Sequence, residues 1–388
     1  LITAILVPNW TNPIEELVSQ ISEPNVTVEI LICLVEELEG KRIKIDIKRR
    51  EWLSNYLNQI SPQVMNLLNV TLHQAKLNHQ QNTQLSERLI SKVYRGLGTW
   101  LRIVYNHDDI TLIEPILSNI FESLVDTNCP DNIHEIAADT VCEAAILCED
   151  YEKYQQLAHY LLTKVYELEN AYHQAVALEE FGMLINFTRI FTDLAESLVD
   201  PVILNEGDQS KLLHLLLNCV GHYDLEIVEI TFHFWYRFSE LIYKRQLKTF
   251  TQVCVRLLTG LTKHCEIEND AEGILENKSD MFEFRCRVKD LVKEVIALVG
   301  AKCYLNHVIS SFNECRNWEV IEANLFIISC IVSEKEVMED SNLIVTLINL
   351  ILSFSNSSDN NLTHIQIRAT NCLILGELAN WLKVNSYN

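Results

Sequence analysis

The sequence predicts an all-α protein: a HEAT-repeat solenoid wound as a right-handed superhelix, a fragment of a longer chain. Three observations predict it. Apolar residues recur at three-four spacing along most of the 388 residues, and no stretch alternates convincingly with the period-two pattern of a strand. Glycine (10) and proline (7) are scarce, while leucine, isoleucine and glutamate abound, which favours helix over sheet. Similar helix starts recur near Gln84, Asp131, Glu180, His222, Asp280, Trp318 and Leu362. They lie about 46 residues apart on average, within the range of HEAT and armadillo repeats.

The elements follow in chain order. The chain opens inside the apolar run LITAIL without methionine and ends at Asn388 without a terminal signature, so a piece of a longer polypeptide is expected. KRIKIDIKRR, Lys41 to Arg50, holds six basic residues and one acidic residue between two helices. Pro62 lacks a backbone N–H, so it is expected to bend or split the pattern from Ile47 to Leu77. In RGLGTW, Gly96 and Gly98 lie inside a helical pattern rather than between a strand and a helix. They read as sites of close helix packing, not as a phosphate loop.

DNIHEIAADTVCEAAILCED carries a continuous apolar stripe through Ile133, Ala137, Val141, Ala144 and Cys148. Asp131 or Asn132 is expected to cap that helix. DPVILNEGDQS, Asp200 to Ser210, reads as a turn punctuated by proline and glycine. YDLEIVEITFHFWYRFSELIYK reads as one helix apolar on two sides. Leu225, Val228, Phe232, Trp235 and Phe238 form one face; Ile227, Ile230, Phe234 and Leu241 form the other. Such a helix is packed between neighbours.

The longest interruption is EIENDAEGILENKSDMFE, Glu266 to Glu283, with seven acidic residues and one lysine. It reads as a flexible, solvated acidic insert. SNSSDNN, Ser355 to Asn361, reads as a polar link. The whole chain, 1–388, reads as a single HEAT-repeat array of about eight repeats. One hairpin of helices cannot bury both its apolar faces, and stacking the next hairpin against it does so.

The formal net charge is −22, which repels nucleic acid and anionic membrane and attracts basic partners. Residues 131–200 carry 14 acidic and 3 basic side chains, which points to an acidic face. The twelve cysteines show no CxxC pair. Cys33, Cys142, Cys219, Cys330 and Cys372 fall on apolar helical faces and read as small buried hydrophobes of a reducing compartment. Asn-x-Ser/Thr sequons such as Asn186 lie within helical patterns and read as by-products of an asparagine-rich chain. No apolar run is long enough to span a bilayer.

No catalytic constellation, cofactor site or metal site is recognisable. HEIAA at His134 lacks the second histidine of a zincin helix. His264 and Cys265 are sequence neighbours and diverge on a helix. His173 and His233 read as packing or capping residues. A non-enzymatic protein that works through its surface is expected.

AYHQAVALEEFGMLINFTRIFTDLAESLV, VEITFHFWYRFSELIYK, EFRCRVKDLVKEVIALVG and NWEVIEANLFIISCIV resemble segments of nuclear import receptors of the importin-β (karyopherin) family, in the family's order. The FWYR element, Phe234 to Arg237, and the EFR element, Glu283 to Arg285, carry most of that resemblance. It implies a HEAT-repeat receptor that shuttles between cytoplasm and nucleus, meets nucleoporins, and binds no nucleic acid or membrane directly. It further implies serine/arginine-rich splicing factors as cargo, released on binding Ran-GTP. Candidate Ran or cargo contacts are Glu266, Glu268, Asp270, Glu272 and Glu276 of the acidic insert. Lys41, Arg42, Lys48, Arg49 and Arg50 of the basic segment are candidate Ran or cargo contacts as well. A HEAT scaffold without a nucleotide-dependent partner and an export receptor of the same superfamily remain alternatives.

Overall fold

A helix that is apolar on two sides needs a neighbour on each. In the computed structural model, helices meet that need by pairing and stacking in sequence order. The structure describes residues 21, 23–39, 46–78, 82–104, 110–312, 317–355 and 364–385. Every regular element among them is helical, and the chain divides into two compact units, Leu1–Asn205 and Glu206–Asn388.

The first unit holds α1 (Pro24–Glu39), α2 (Ile47–Asn78), α3 (Thr83–Val104) and α4 (Glu114–Val125). It continues with α5 (Asp131–Leu147), α6 (Gln155–Glu167), α7 (Glu169–Leu178) and α8 (Phe181–Leu198). Helices α1, α3, α5 and α8 lie side by side, each on the next, while α2 backs onto α3 and α4 onto α5. The core between them includes Tyr94, Trp100, Phe187 and Phe191, all fully buried. The Trp100 indole donates to the Leu31 carbonyl at 3.1 Å, tying α3 to α1.

The second unit holds α9 (Lys211–Val220), α10 (Leu225–Ile230), α11 (Phe232–Arg245) and α12 (Thr251–His264). It continues with α13 (Asp280–Val299), α14 (Ala301–Ser311), α15 (Trp318–Ile331), α16 (Ser341–Ser355), α17 (Ile365–Glu377) and α18 (Ala379–Asn385). Here α11, α13, α15 and α17 form the side-by-side layer. Phe234, Trp235, Phe238 and Phe250 make an aromatic cluster with ring centroids 5.0–5.6 Å apart, a spacing at which aromatic pairs attract beyond area burial alone. Six of the seven repeat starts read from the sequence fall at layer helices; the one near His222 falls at α10, and the layer helix α11 begins ten residues later, at Phe232. The helices that begin at Thr83, Asp131, Phe181, Asp280, Trp318 and Ile365 are all members of the two layers.

Several local expectations are corrected. Pro62 does not split its helix, because α2 runs unbroken through it. Proline deprives the carbonyl four residues back of its donor, and here the Ser61 hydroxyl supplies one, bonding the Asn58 carbonyl at 2.9 Å. Asp131 and Asn132 are not caps. Pro130 precedes the helix, its carbonyl accepts from the Ile133 and His134 amides, and Asp131 sits in the first turn. The helix after His222 is two helices, parted at Thr231, whose hydroxyl bonds the Val228 carbonyl at 2.7 Å. That local bond competes with helix continuation.

Residues 199–209 form successive helical turns rather than an open turn. Cys142, Cys219 and Cys330 are buried, Cys33 is half-buried, and Cys372 is exposed. Helix α17 buries Ile367, Thr370, Asn371 and Ile374, a face from which Cys372 points away. The polar link at 356–361 lies outside the described residues. Gly96 and Gly98 face neighbouring helices, but a Cβ at Gly96 would meet Leu68 at 3.4 Å and one at Gly98 would meet Thr140 at 3.6 Å, ordinary contact distances, so the packing there does not require glycine.

Two measurements check this fold. Gln246 ends α11 at φ 54°, a left-handed conformation that costs a residue with a Cβ about 1 kcal/mol more than glycine. Gln246→Gly is expected to raise stability by about 0.5–1 kcal/mol in urea unfolding, and a loss would contradict the assignment. The second concerns pH. His134 is buried against Phe187 and bonded to Asn186 at 2.9 Å. Burial holds its pKa below the usual value. A depressed histidine pKa favours the neutral folded form, so its contribution is present above about pH 6.5 and lost as pH falls. The urea midpoint of the first unit should drop from pH 7 to pH 5, and His134→Gln should shrink that drop.

Candidate partner-binding surfaces

The acidic insert is not a loose loop. It is strapped across α15 and α17. The Trp318 indole donates to the Asn269 carbonyl at 3.3 Å. His364 meets the Ala271 carbonyl through Nε2 at 3.0 Å, and the Leu275 amide donates to the Gln366 side chain at 2.8 Å. Trp318 and His364 stack with ring centroids 3.8 Å apart. His364 also caps α17, its Nδ1 accepting from the Gln366 amide at 3.2 Å. One histidine ring therefore serves helix, stack and strap together. These anchors lie 49 to 93 residues from the strap in sequence, so the strap's own composition does not announce them.

The root of the strap is held by Arg285, the arginine of the EFR element. Its guanidinium donates to the Cys265 carbonyl at the C-terminal end of α12, at 3.1 Å from Nε. A cation there suits the negative end of the helix dipole. The same guanidinium grips Glu322 of α15 through two nitrogens, at 3.0 and 2.5 Å, and lies over the Phe326 ring at 4.8 Å. Arg285 is 4% exposed and Glu322 is fully buried.

Burying two charges is costly unless every remaining lone pair and proton finds a partner. Glu322 finds them in α17: the Gln366 amide at 3.2 Å and the Thr370 hydroxyl at 2.6 Å. That explains why α17 buries Gln366 and Thr370 where an apolar stripe would be expected.

The strap presents its carboxylates outward. Glu268, Asp270, Glu272 and Glu276 are exposed, and none belongs to an ion pair among the described residues. Glu266 differs. It is half-buried, and burial pushes its carboxyl above the usual range. The structure therefore brings four of the five predicted acids together as free charges. Of the basic segment, Lys41 and Arg42 lie outside the described residues. Lys48, Arg49 and Arg50 are not loop residues as expected, because α2 begins at Ile47. Lys48 is exposed and Arg50 is half-buried; the Arg49 side chain lies outside the described set.

The acidic excess of residues 131–200 is partly neutralised. Asp139 pairs with Arg189 at 2.6 Å, and Glu143 pairs with Arg102. Together with Lys92–Glu29 and Arg95–Glu36, these pairs stitch neighbours in the α1, α3, α5, α8 layer. Exposed pairs of this kind each contribute little stability, roughly 0–1 kcal/mol.

His264 meets the Val220 carbonyl at 2.5 Å, and Cys265 is buried. Among the described residues no group of three or more His, Cys, Asp or Glu is placed to hold a metal ion, and no helix is long and apolar enough to cross a membrane.

Residues 179–264 match the family model described as the Transportin-3/Importin-13 second TPR domain. Residues 1–148 match the model described as Exportin 1-like protein. The chain is 23% identical over 399 residues to the mRNA transport regulator MTR10 of Saccharomyces cerevisiae, covering 97% of this chain and 40% of that protein. It is 20% identical over 388 residues to Transportin MOS14 of Arabidopsis thaliana, covering 92% and 38%. It thus spans about two fifths of the length of these curated relatives. The solved structure of Importin13 in its cytosolic state superposes with a TM-score of 0.78 at 15% identity, over 99% of this chain and 48% of that one. That likeness bears on the fold.

The Arg285–Glu322 pair gives a direct test. Glu322→Ala leaves a buried guanidinium without its counter-charge. It should cost the second unit about 3–5 kcal/mol in urea unfolding. A loss under about 1 kcal/mol would show that the pair is not a structural hub.

Proposed function

We propose that this chain is part of a nuclear import receptor of the transportin-SR (transportin 3) type. In this reading the whole receptor shuttles between cytoplasm and nucleus, binds serine/arginine-rich cargo, and releases it when Ran-GTP binds. It acts by binding, without catalysis or cofactor, and meets nucleoporins during passage. The two units are consecutive stretches of one HEAT array.

The observation that carries the reading is the strap. Four unpaired carboxylates, on a backbone pinned to two helices, form an acidic surface suited to a basic partner. Pinning matters because an ordered loop loses less conformational entropy on binding than a mobile one. The charges themselves chiefly steer encounter and set register. The match of residues 179–264 to the Transportin-3/Importin-13 model supports the choice of branch.

The match of residues 1–148 to the Exportin 1-like model favours a second reading, an export receptor. The two differ in the sign of one coupling: Ran-GTP weakens cargo binding in an importer and strengthens it in an exporter.

The test uses the full-length receptor and a serine/arginine-rich protein. Ran-GTP should release bound cargo in a pull-down. Retention unaffected by Ran-GTP would overturn the proposal, and tighter retention would select the export reading. In a kinetic companion, Glu268, Asp270, Glu272 and Glu276 are replaced by serine. Folding should be unchanged, since these side chains are solvated. Association with the basic partner should slow and lose salt sensitivity.

A further inference from the structure

Beside the strap lies an open groove of about 470 Å³, walled by the strap and by α13, α15 and α17. Its apolar lining comes from four separate elements: Ile274 and Leu275 of the strap, Phe282 of α13, Phe326 of α15 and Leu373 of α17. Ile274 is 57% exposed and Leu373 is 60% exposed. Two large aliphatic side chains from distant parts of the sequence thus face one groove without covering each other. Arg285, Gln366 and Thr370 line the groove as well, and each is already bonded to the buried Glu322 behind them. It offers shape and apolar surface rather than a free charge.

The rim supplies the charge. Glu272 and Glu276 flank Ile274 and Leu275 in the strap, and exposed Glu377 lines the far side. Lys289 and the Glu322-paired Arg285 line the groove opposite Glu377, and Lys278 lies on the strap, so the acidic balance comes from the strap carboxylates beside the groove rather than from its lining. An apolar slot continuous with the acidic strap fits one kind of occupant by charge complementarity with that strap. A bulky apolar side chain fills the slot while lysine or arginine on either side meets the rim carboxylates.

We propose that the strap, α13, α15 and α17 together form a docking groove for a partner's peptide segment, one that carries a single large apolar residue between basic residues. The proposal deepens the transport reading and rests on it only for the basic character of the partner. Apolar burial supplies the affinity, and the four outward carboxylates supply rate and register. This division predicts two separable effects. Removing apolar surface should speed dissociation with little change in salt dependence. Removing charge should slow association and flatten the salt dependence.

The test titrates the complete chain with a fluorescein-labelled Lys-Arg-Leu-Arg-Lys peptide and with its analogue carrying serine in place of leucine, read by anisotropy. The leucine peptide should bind about tenfold or more tightly than the serine peptide. Ile274→Ser and Leu373→Ser should each erase much of that difference and leave the serine peptide unaffected. Both positions are more than half exposed, so the variants should keep the parent's circular dichroism and urea midpoint.

A second readout needs no substitution. Cys286 is exposed and lines the groove. The leucine peptide should shield it from a maleimide, while Cys303 and Cys372, also exposed, keep reacting.

Equal binding of the two peptides, or unshielded Cys286 at saturation, would overturn the proposal. Shielding that rises with protein concentration in the absence of peptide would assign the groove to a second copy of the chain, and would overturn it too. The transport reading fails separately. A receptor whose cargo ignores Ran-GTP can still show the peptide preference, and one that releases cargo can still lack it.

Discussion

An amphipathic helix exposed on one flank is a cost that only another helix can remove. Every feature of this chain follows from how that constraint is met. Helices α1, α3, α5 and α8 cover one another in turn, as do α11, α13, α15 and α17. Because each layer helix touches the next, side chains far apart in sequence meet at fixed places. Arg285, Glu322 and Thr370 belong to three successive helices of one layer and share one buried network. A repeat array is usually described as a sum of nearest-neighbour interfaces. Here one polar network spans three consecutive layer helices, so a single buried carboxylate couples three of them.

That network also converts a charged loop into a surface of fixed geometry. A loop with this composition, left to itself, would sample many conformations. Three hydrogen bonds with the side chains of Trp318, His364 and Gln366, the last accepting from the Leu275 amide, hold its backbone at three points. Its carboxylates are then aimed outward from a fixed line. The arrangement separates two jobs. Buried polar groups set the geometry, and exposed ones remain free to meet a partner.

The fold was largely legible in the sequence because helical periodicity and repeat length are local properties. The repeat starts near Asp131, Asp280 and Trp318 coincide with helix starts in the structure. What stayed illegible depended on distant residues or on single hydroxyls. The rescue of Pro62 rests on Ser61, and the break at Thr231 rests on its own side chain. Cys372 read as core because its neighbours are apolar, yet α17 buries the opposite face, from which Gln366 and Thr370 reach Glu322. The acidic insert was recognised as a candidate surface from its charge. Its order was not, since Trp318 and His364 carry no mark of their role in the sequence around them.

The central claim is that the acidic strap is held in place by the helices beneath it. Hydrogen exchange at the Leu275 amide tests this most directly, because that amide is bonded to the Gln366 side chain within residues 266–279, which hold no helix. The account predicts exchange slowed well beyond the rate of an unstructured loop, with protection lost in Gln366→Ala. Exchange at the unstructured rate in the parent chain would contradict it.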